Sequence, residues 1–261
     1  METEILRAED LKIAYGERVI VEGMDLSIAR DKITTIIGPN GSGKSTLLKA
    51  ITRLIHFQEG SVFLEGKDLL SFKPKALASR IAVLPQIHTA PADFRVKDLV
   101  SYGRMPYQKM LSGKSREDER IVEWAMEQTG VAAFRDKSIY EISGGEAQRV
   151  WIATVLAQQP QVLFLDEPTT YLDIAYQLEM MQLVKRLNRE TGIGIVMVLH
   201  DLAQAMEVSD HVIVIKKGQK YAEGRPEEVI TCRMMKDVYD VQCEIMRIQG
   251  RTKPLIAYAP V

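Results

Sequence analysis

The chain has 261 residues, enough to bury a large core, with 34 basic and 35 acidic side chains and a formal net charge of −1. Interleaved charges summing to near zero make no electrostatic case for nucleic acid, which a basic face normally announces, and no nucleic-acid partner is expected. No apolar stretch, Ile193–Leu199 included, approaches the roughly 20 residues of a membrane span, so passage across a bilayer would need a different polypeptide.

The N-terminus METEILRAED carries acid from its second residue and does not read as a secretory signal. The first third then reads as strands. Glu4–Ala14, Val19–Ile28 and Ser61–Glu65 predict a small sheet, with turns at Tyr15–Glu17 and Glu65–Lys67. Ile33–Ile37 is a short apolar β-branched run, suited to a buried parallel strand. Helical spacing follows over Lys44–Leu54. Ile81–Leu84 is a further strand. The middle third has helical periodicity at Val96–Gly103, Glu117–Thr129 and Gly145–Gln158, with a polar loop at Gln108–Ser115 and a solvated helix start at Ser115–Arg120. The last third alternates: strand Gln161–Leu165, helix Ile174–Arg189, strand Gly194–Leu199, helix Leu202–Val208, strand His211–Ile215. Met180 and Met181 read as core packing on their helix. Alternation of this kind implies a mostly parallel sheet with helices on its faces. Cys232 and Cys243 show no metal-type spacing or disulfide framework. They are expected as ordinary thiols of a reducing cytoplasm, with a bridge between them as the alternative. The expected organisation is one α/β domain over 1–261, with a helical subdomain at roughly 87–158 inserted in its core.

The segment Gly38–Thr46 (GPNGSGKST) follows the buried strand and opens a helix, the context that a phosphate-binding loop requires. A triphosphate is a dense negative charge and needs many donors within reach. Gly38, Gly41 and Gly43 let the backbone approach and aim N–H groups inward, with Pro39, Asn40 and Ser42 completing the loop. The following helix adds its positive dipole end. Lys44 is expected on the β- and γ-phosphates, Ser45 on Mg²⁺ and Thr46 near the α-phosphate. Val162–Asp166 runs as an apolar strand ending in a carboxylate, with Glu167 next. Asp166 suits a Mg²⁺ water shell, and Glu167 suits a general base that polarises the attacking water. The loop by itself leaves kinases, GTPases, helicases and transporters open.

Ile142–Glu146 (ISGGE), followed by Gln148–Arg149, resembles the LSGGQ signature of the ABC ATPase family, with Ile for Leu and Glu for Gln. Ser143, Gly144 and Gly145 keep the centre that contacts phosphate, and Glu146 holds the last polar position. Other residues match in the family's order. Gln86 resembles the glutamine that touches Mg²⁺ or the lytic water and senses the membrane subunit. Asp173, in Thr169–Asp173 (TTYLD), resembles the D-loop aspartate that reaches across a dimer interface. His200 resembles the switch histidine that hydrogen-bonds the γ-phosphate, and Tyr15 the aromatic that stacks on adenine. A lone histidine after a strand, or a lone tyrosine in a turn, is usually structural; order and context carry the assignment. His56, His88 and His211 have no such context and read as surface or packing residues.

The resemblance implies an ABC ATPase fold: a P-loop core with a mostly parallel sheet, an N-terminal antiparallel β subdomain and an inserted helical subdomain. It implies ATP and Mg²⁺ as ligands, and a head-to-tail homodimer in which Gly38–Thr46 of one copy and Ser143–Gly145 of the other enclose each ATP. Three stretches, Val96–Gln108 (VKDLVSYGRMPYQ), Thr169–Ile174 and Val196–Ala205, resemble importers of ferric siderophores, haem and cobalamin. YGRMPY falls where that family docks its membrane permease, although Tyr102, Met105 and Tyr107 can equally pack the helical subdomain. The expectation is the ATPase of a ferric-siderophore importer, peripheral on the cytoplasmic face of the membrane and served indirectly by an extracytoplasmic substrate-binding protein. Haem or cobalamin import, and a non-transport ABC ATPase, are the alternatives.

Overall fold

The computed structural model describes residues 4–91, 93–108 and 115–258. They form two compact units, one from the described parts of Met1–Ser71 and Gly194–Val261, the other from Phe72–Ile193. The first unit opens with β1 (Glu4–Tyr15), β2 (Arg18–Ala29), β3 (Ile33–Ile37), α1 (Lys44–Ile51), β4 (Glu59–Leu64) and β5 (Lys67–Asp68). The second holds α2 (Pro74–Ala78), β6 (Ile81–Leu84), α3 (Val96–Ser101), α4 (Arg116–Thr129), α5 (Gly144–Ala157), β7 (Val162–Asp166) and α6 (Ile174–Thr191). The chain then returns to the first with β8 (Gly194–Val198), α7 (Leu202–Val208), β9 (His211–Lys216), β10 (Gln219–Gly224), α8 (Pro226–Val229), α9 (Cys232–Met234), β11 (Cys243–Met246) and β12 (Leu255–Tyr258).

In the first unit β2, β1, β4 and β5 form an antiparallel sheet in that order. Strand β3 lies between β8 and β9, parallel to both, and β10 returns antiparallel on β9. All five residues of β3 and all five of β8 are buried, as their unbroken β-branched and aliphatic runs require of strands covered on both faces. The expected strand bounds hold to within two residues. The segment after β9 carries structure that the sequence pattern did not announce: β10, α8, α9 and the β11–β12 hairpin.

In the second unit β6 and β7 pair in parallel, Ile81 opposite Val162 and Leu84 opposite Leu165. Helices α3, α4 and α5 pack on one another. Helix α4 starts on a capping box, Ser115 accepting from the Asp118 N–H while Asp118 accepts from the Ser115 N–H, and stops at Gly130 with φ +71°. Met180 and Met181 are buried in α6, as expected. Part of the expected polar loop, 109–114, lies outside the described residues. Among the described residues no helix is long and apolar enough to cross a membrane.

The YGRMPY segment is divided between packing and surface: Gly103 and Arg104 are buried. A Cβ at Gly103 would collide with the Thr154 carbonyl of α5. Arg104 is 4% exposed and donates to Asp118 at 2.9 Å and to the Ala157 carbonyl at 2.8 Å, with its guanidinium 3.9 Å over the Tyr107 ring. The Tyr107 hydroxyl donates to the Gln158 carbonyl at 2.9 Å. Tyr102, Met105 and the rest of the Tyr107 ring stay exposed. Burial opposes ionisation of Asp118, but hydrogen bonds from Arg104 and Ser115 outweigh it and hold the carboxyl below its ordinary value. Arg104→Ala strands that carboxylate, and a loss of about 3–5 kcal/mol is expected in urea unfolding at neutral pH. The loss should shrink as pH falls through the lowered Asp118 value, because the folded state then gains its proton in both proteins.

Candidate functional site: a phosphate loop and a capped signature helix

Gly38–Thr46 leaves the C-terminal end of β3 and enters α1. Gly38, Gly41 and Gly43 adopt φ of +154°, +75° and +102°. Gly38 has no alternative residue: a Cβ there would overlap the Ile215 carbonyl of β9. Gly43 is squeezed more gently, its Cβ position lying 3.1 Å from Val21 Cγ2. The turn between β9 and β10 supports the loop from outside, the Gly218 N–H donating to the Ser42 carbonyl at 3.0 Å. Lys44 is buried, and its ammonium donates to the Gly38 and Pro39 carbonyls at 2.9 and 3.0 Å. Helix α1 begins at Gly43 with no side-chain cap, so its first N–H groups face the loop. The Ser42 hydroxyl is buried and has no hydrogen-bond partner among the described residues. A cation, uncapped helix N–H groups and an unsatisfied hydroxyl around one glycine-rich turn fit a phosphate group. Ser45 and Thr46 are half-buried in the first turn of α1, and Pro39 and Asn40 lie at the outer side of the turn.

Register explains which other residues share this edge. Ile36 of β3 lies opposite Val198 of β8, so Gly38 and His200 each stand two residues beyond a paired position. Both emerge at the carboxyl ends of parallel strands, where open α/β sheets place ligands. His200 is exposed there, and Asp201 beside it caps α7, accepting from Ala203 and Gln204 N–H. Tyr15 is 54% exposed at the end of β1, its ring free to take a planar partner.

The second unit repeats the register logic. Leu84 lies opposite Leu165, so Gln86 and Glu167 each stand two residues past the pair. They meet: Gln86 Nε2 donates to Glu167 Oε2 at 2.5 Å. The Thr170 hydroxyl donates to the same oxygen at 3.1 Å. Glu167 is half-buried with φ +55°, a strained conformation for a branch-free acid and one that clusters at functional sites. Asp166 is 4% exposed at the end of β7. Magnesium is usually held by one or two carboxylates together with substrate phosphates, and a single buried strand-end aspartate fits that donor set.

Ser143 caps α5. Its hydroxyl accepts from the Glu146 N–H at 3.3 Å, and Glu146 turns back to accept from the Ser143 N–H at 2.8 Å. That N–H first, and then the Ser143 hydroxyl, hold the Glu146 carboxyl below its ordinary range. The Glu146 charge is thus spent within the cap, which leaves Ser143 half-buried and Gly144 exposed at the helix start, with Gly145 buried behind them. Gly144 is exposed with nothing near a would-be Cβ, whereas a Cβ at Gly145 would enter the Tyr176 ring of α6. The Tyr176 hydroxyl lies 3.3 Å from Ser143 Oγ. Asp173 caps α6, accepting from the Tyr176 N–H at 3.0 Å.

A family model described as ABC transporter matches residues 21–170. The chain belongs to the ABC transporter family of ATP-binding proteins. It is 47% identical over 250 residues to the iron(3+)-hydroxamate import ATP-binding protein FhuC of Bacillus subtilis, covering 96% of this chain and 93% of the relative. It is 40% identical to the ferric enterobactin transport ATP-binding protein FepC of Escherichia coli, covering 96% and 93% of the two chains. The crystal structure of MJ1267, an ATP-binding cassette of an ABC transporter in its ADP conformation, superposes with a TM-score of 0.82 at 28% identity, covering 91% of this chain and 98% of that one. The fold is the ABC ATPase fold, and the chain is an ATPase of this family.

Two residues of this ABC ATPase carry weight that its motifs did not announce. Thr170 shares the Glu167 carboxylate, and Tyr176 fills the space that Gly145 leaves open. Tyr239 carries a buried hydroxyl with no hydrogen-bond partner among the described residues. Of the histidines set aside, His88 packs its ring 4.6 Å from Trp151, and burial lowers its pKa. His211 lies 3.8 Å from Glu223.

Proposed function

We propose that this chain is the ATP-hydrolysing subunit that powers uptake of a ferric siderophore through a separate membrane permease. The observation that carries the reading is the 47% identity, over nearly the whole of both chains, to a protein named for iron(3+)-hydroxamate import. The subunit would sit on the cytoplasmic face of the membrane, with an extracytoplasmic binding protein supplying the permease.

Gly38–Thr46 would hold the triphosphate, Lys44 compensating charge on the β- and γ-phosphates and Tyr15 stacking on the adenine. Ser45, Gln86 and Asp166 would hold Mg²⁺, which supplies charge neutralisation between the β- and γ-phosphates. Glu167 would take the proton from the attacking water, its carboxylate held by Gln86 and Thr170, and His200 would hydrogen-bond the γ-phosphate. Two copies would pair head to tail, Ser143, Gly144 and Gly145 of each presented to the nucleotide of the other, with Asp173 at the interface and Glu146 keeping the helix start capped. Binding then favours the closed pair and hydrolysis the open one, a ligand-biased two-state element.

The test is ATP-driven uptake in vesicles that carry this chain with its permease and binding protein. Ferric hydroxamate is expected to accumulate on ATP addition, and haem and cobalamin are not. Uptake of haem or cobalamin in its place assigns the alternative substrate. Stable expression without any membrane partner, and ATP turnover indifferent to a permease, count against transport itself.

A further inference from the structure

The two cysteines are 11 positions apart in sequence and adjacent in space. Cys243 Sγ donates to Cys232 Sγ at 3.5 Å, and Cys232 Sγ donates to the Cys243 carbonyl at 2.9 Å. Both thiols are free, Cys232 exposed at the start of α9 and Cys243 half-buried at the start of β11. A disulfide needs its sulfurs at about 2.0 Å, so the pair must close by about 1.5 Å, within the reach of a side-chain rotation at an exposed helix end.

The residues between them are firmly placed. Thr231 caps α9, accepting from the Met234 N–H at 3.1 Å, and α9 runs directly into a wide turn over Met235–Tyr239. Met234, Met235 and Val238 are buried. The Tyr221 hydroxyl donates to the Asp237 carboxylate at 2.7 Å, and Lys216 donates to the Asp237 carbonyl at 2.5 Å. Tyr239 ends the turn with its hydroxyl buried and, among the described residues, without a hydrogen-bond partner. Burial pushes its phenol up. Lys216, which reaches the Asp237 carbonyl, follows Ile215, whose own carbonyl lies where a Cβ at Gly38, the first glycine of the phosphate loop, would be. Beyond Cys243, β11 pairs with β12, Cys243 opposite Tyr258, and β12 packs on α7 next to His200. The cysteine pair therefore closes a short loop tied at one end, through Lys216, to the end of β9 that backs the phosphate loop, and running at the other into the hairpin beside the switch histidine.

We propose that Cys232 and Cys243 are a reversible thiol–disulfide site whose closure clasps this C-terminal segment onto the phosphate loop. The oxidant is hydrogen peroxide. Cys232, the more exposed sulfur, attacks one peroxide oxygen and becomes a sulfenic acid, releasing water; Cys243 then displaces the hydroxyl as a second water and forms the S–S bond. Two electrons pass from the two thiols to the peroxide, and a dithiol returns them. Burial and the Cys232 sulfur raise the Cys243 thiol to about 11, which leaves Cys243 protonated until the sulfenic acid forms next to it. The closed loop holds this turn on Lys216 at the end of β9, which backs Gly38, and pre-organises the loop that nucleotide binds. This last effect rests on the reading of Gly38–Thr46 as the nucleotide loop.

The test uses the full chain, titrated with hydrogen peroxide, alkylated with iodoacetamide and weighed, beside Cys232→Ser and Cys243→Ser. Both thiols are expected to disappear together, in a monomer lighter by two hydrogen atoms, and to return with dithiothreitol. Oxidation should raise the thermal midpoint by several degrees in the parent and in neither variant, because a closed loop restricts the unfolded chain. A fluorescent ATP analogue should bind about threefold tighter after oxidation, and Lys216→Ala, which removes the tie to Asp237, should abolish that difference. Independent alkylation of the two cysteines, chain-to-chain dimers or an unmoved midpoint overturn the clasp. An affinity indifferent to oxidation overturns its link to the phosphate loop. Absence of nucleotide binding in both redox states counts against the assignment of Gly38–Thr46 and leaves the mass result to decide the thiol pair.

Discussion

Glu167→Gln is expected to keep nucleotide binding and to slow hydrolysis by about 10²- to 10⁴-fold, the usual worth of a positioned general base. The substitution is nearly isosteric. Its amide oxygen can still accept from Gln86 and Thr170, as Glu167 Oε2 does at 2.5 and 3.1 Å, so the side chain should stay where it is. The backbone strain at φ +55° belongs to the position and is common to both residues. What disappears is the ability to accept a proton from water. Phosphate release and nucleotide affinity, measured on the same preparation, separate the two functions. With turnover blocked and binding intact, the ATP-bound pair should accumulate and elute as a dimer. Turnover at the parent rate would remove Glu167 as the base and leave its hydrogen bonds as structural.

The elements that the sequence made legible are those in which burial and periodicity agree. Ile33–Ile37, Val162–Asp166 and Gly194–Val198 are short runs rich in β-branched and aliphatic residues, and every residue of each is buried. Helices α4, α5 and α6 begin on Ser115, Ser143 and Asp173, side chains that favour a local cap over a helix interior. The chain beyond β9 was opaque for the converse reason. Strand β10 (QKYAEG) is an edge strand whose residues alternate between exposed and half-buried, without the apolar face that pattern reading depends on. Helices α8 and α9 have four and three residues, too short for any period.

At the site, legibility followed chain locality. The phosphate loop, the strand-end carboxylates and the signature are each contiguous and were read from spacing and resemblance. Their supports are long-range and were not. Nothing in ISGGE names Tyr176, nothing in GPNGSGKST names Ile215 or Gly218, and YGRMPY does not reveal that Arg104 is buried against Asp118. Glu146 illustrates the difference: its place in the signature suggests a ligand contact, and in the fold its carboxylate is already committed to the Ser143 N–H.

Gly145→Ala is expected to lower hydrolysis by about 100-fold, the scale of effect that an ångström of misplacement produces, with nucleotide binding at Gly38–Thr46 nearly unchanged. The added methyl would lie inside the Tyr176 ring, so either the first turn of α5 or that ring must move. Both carry Ser143: the turn holds its backbone, and the ring brings a hydroxyl to 3.3 Å from its Oγ. Gly144 offers the internal contrast. Its Cβ position is open, so Gly144→Ala should leave the thermal midpoint of the free chain unchanged, while Gly145→Ala lowers it. Combining Gly145→Ala with Tyr176→Ser opens the space that the methyl needs, and the pair should recover part of the lost turnover. The interaction is read from a double-mutant cycle: coupling between contacting residues appears as a combined loss smaller than the sum of the single ones. Strictly additive losses would mean that Tyr176 and Gly145 act separately, and that the glycine is required by the surface it presents rather than by the ring behind it.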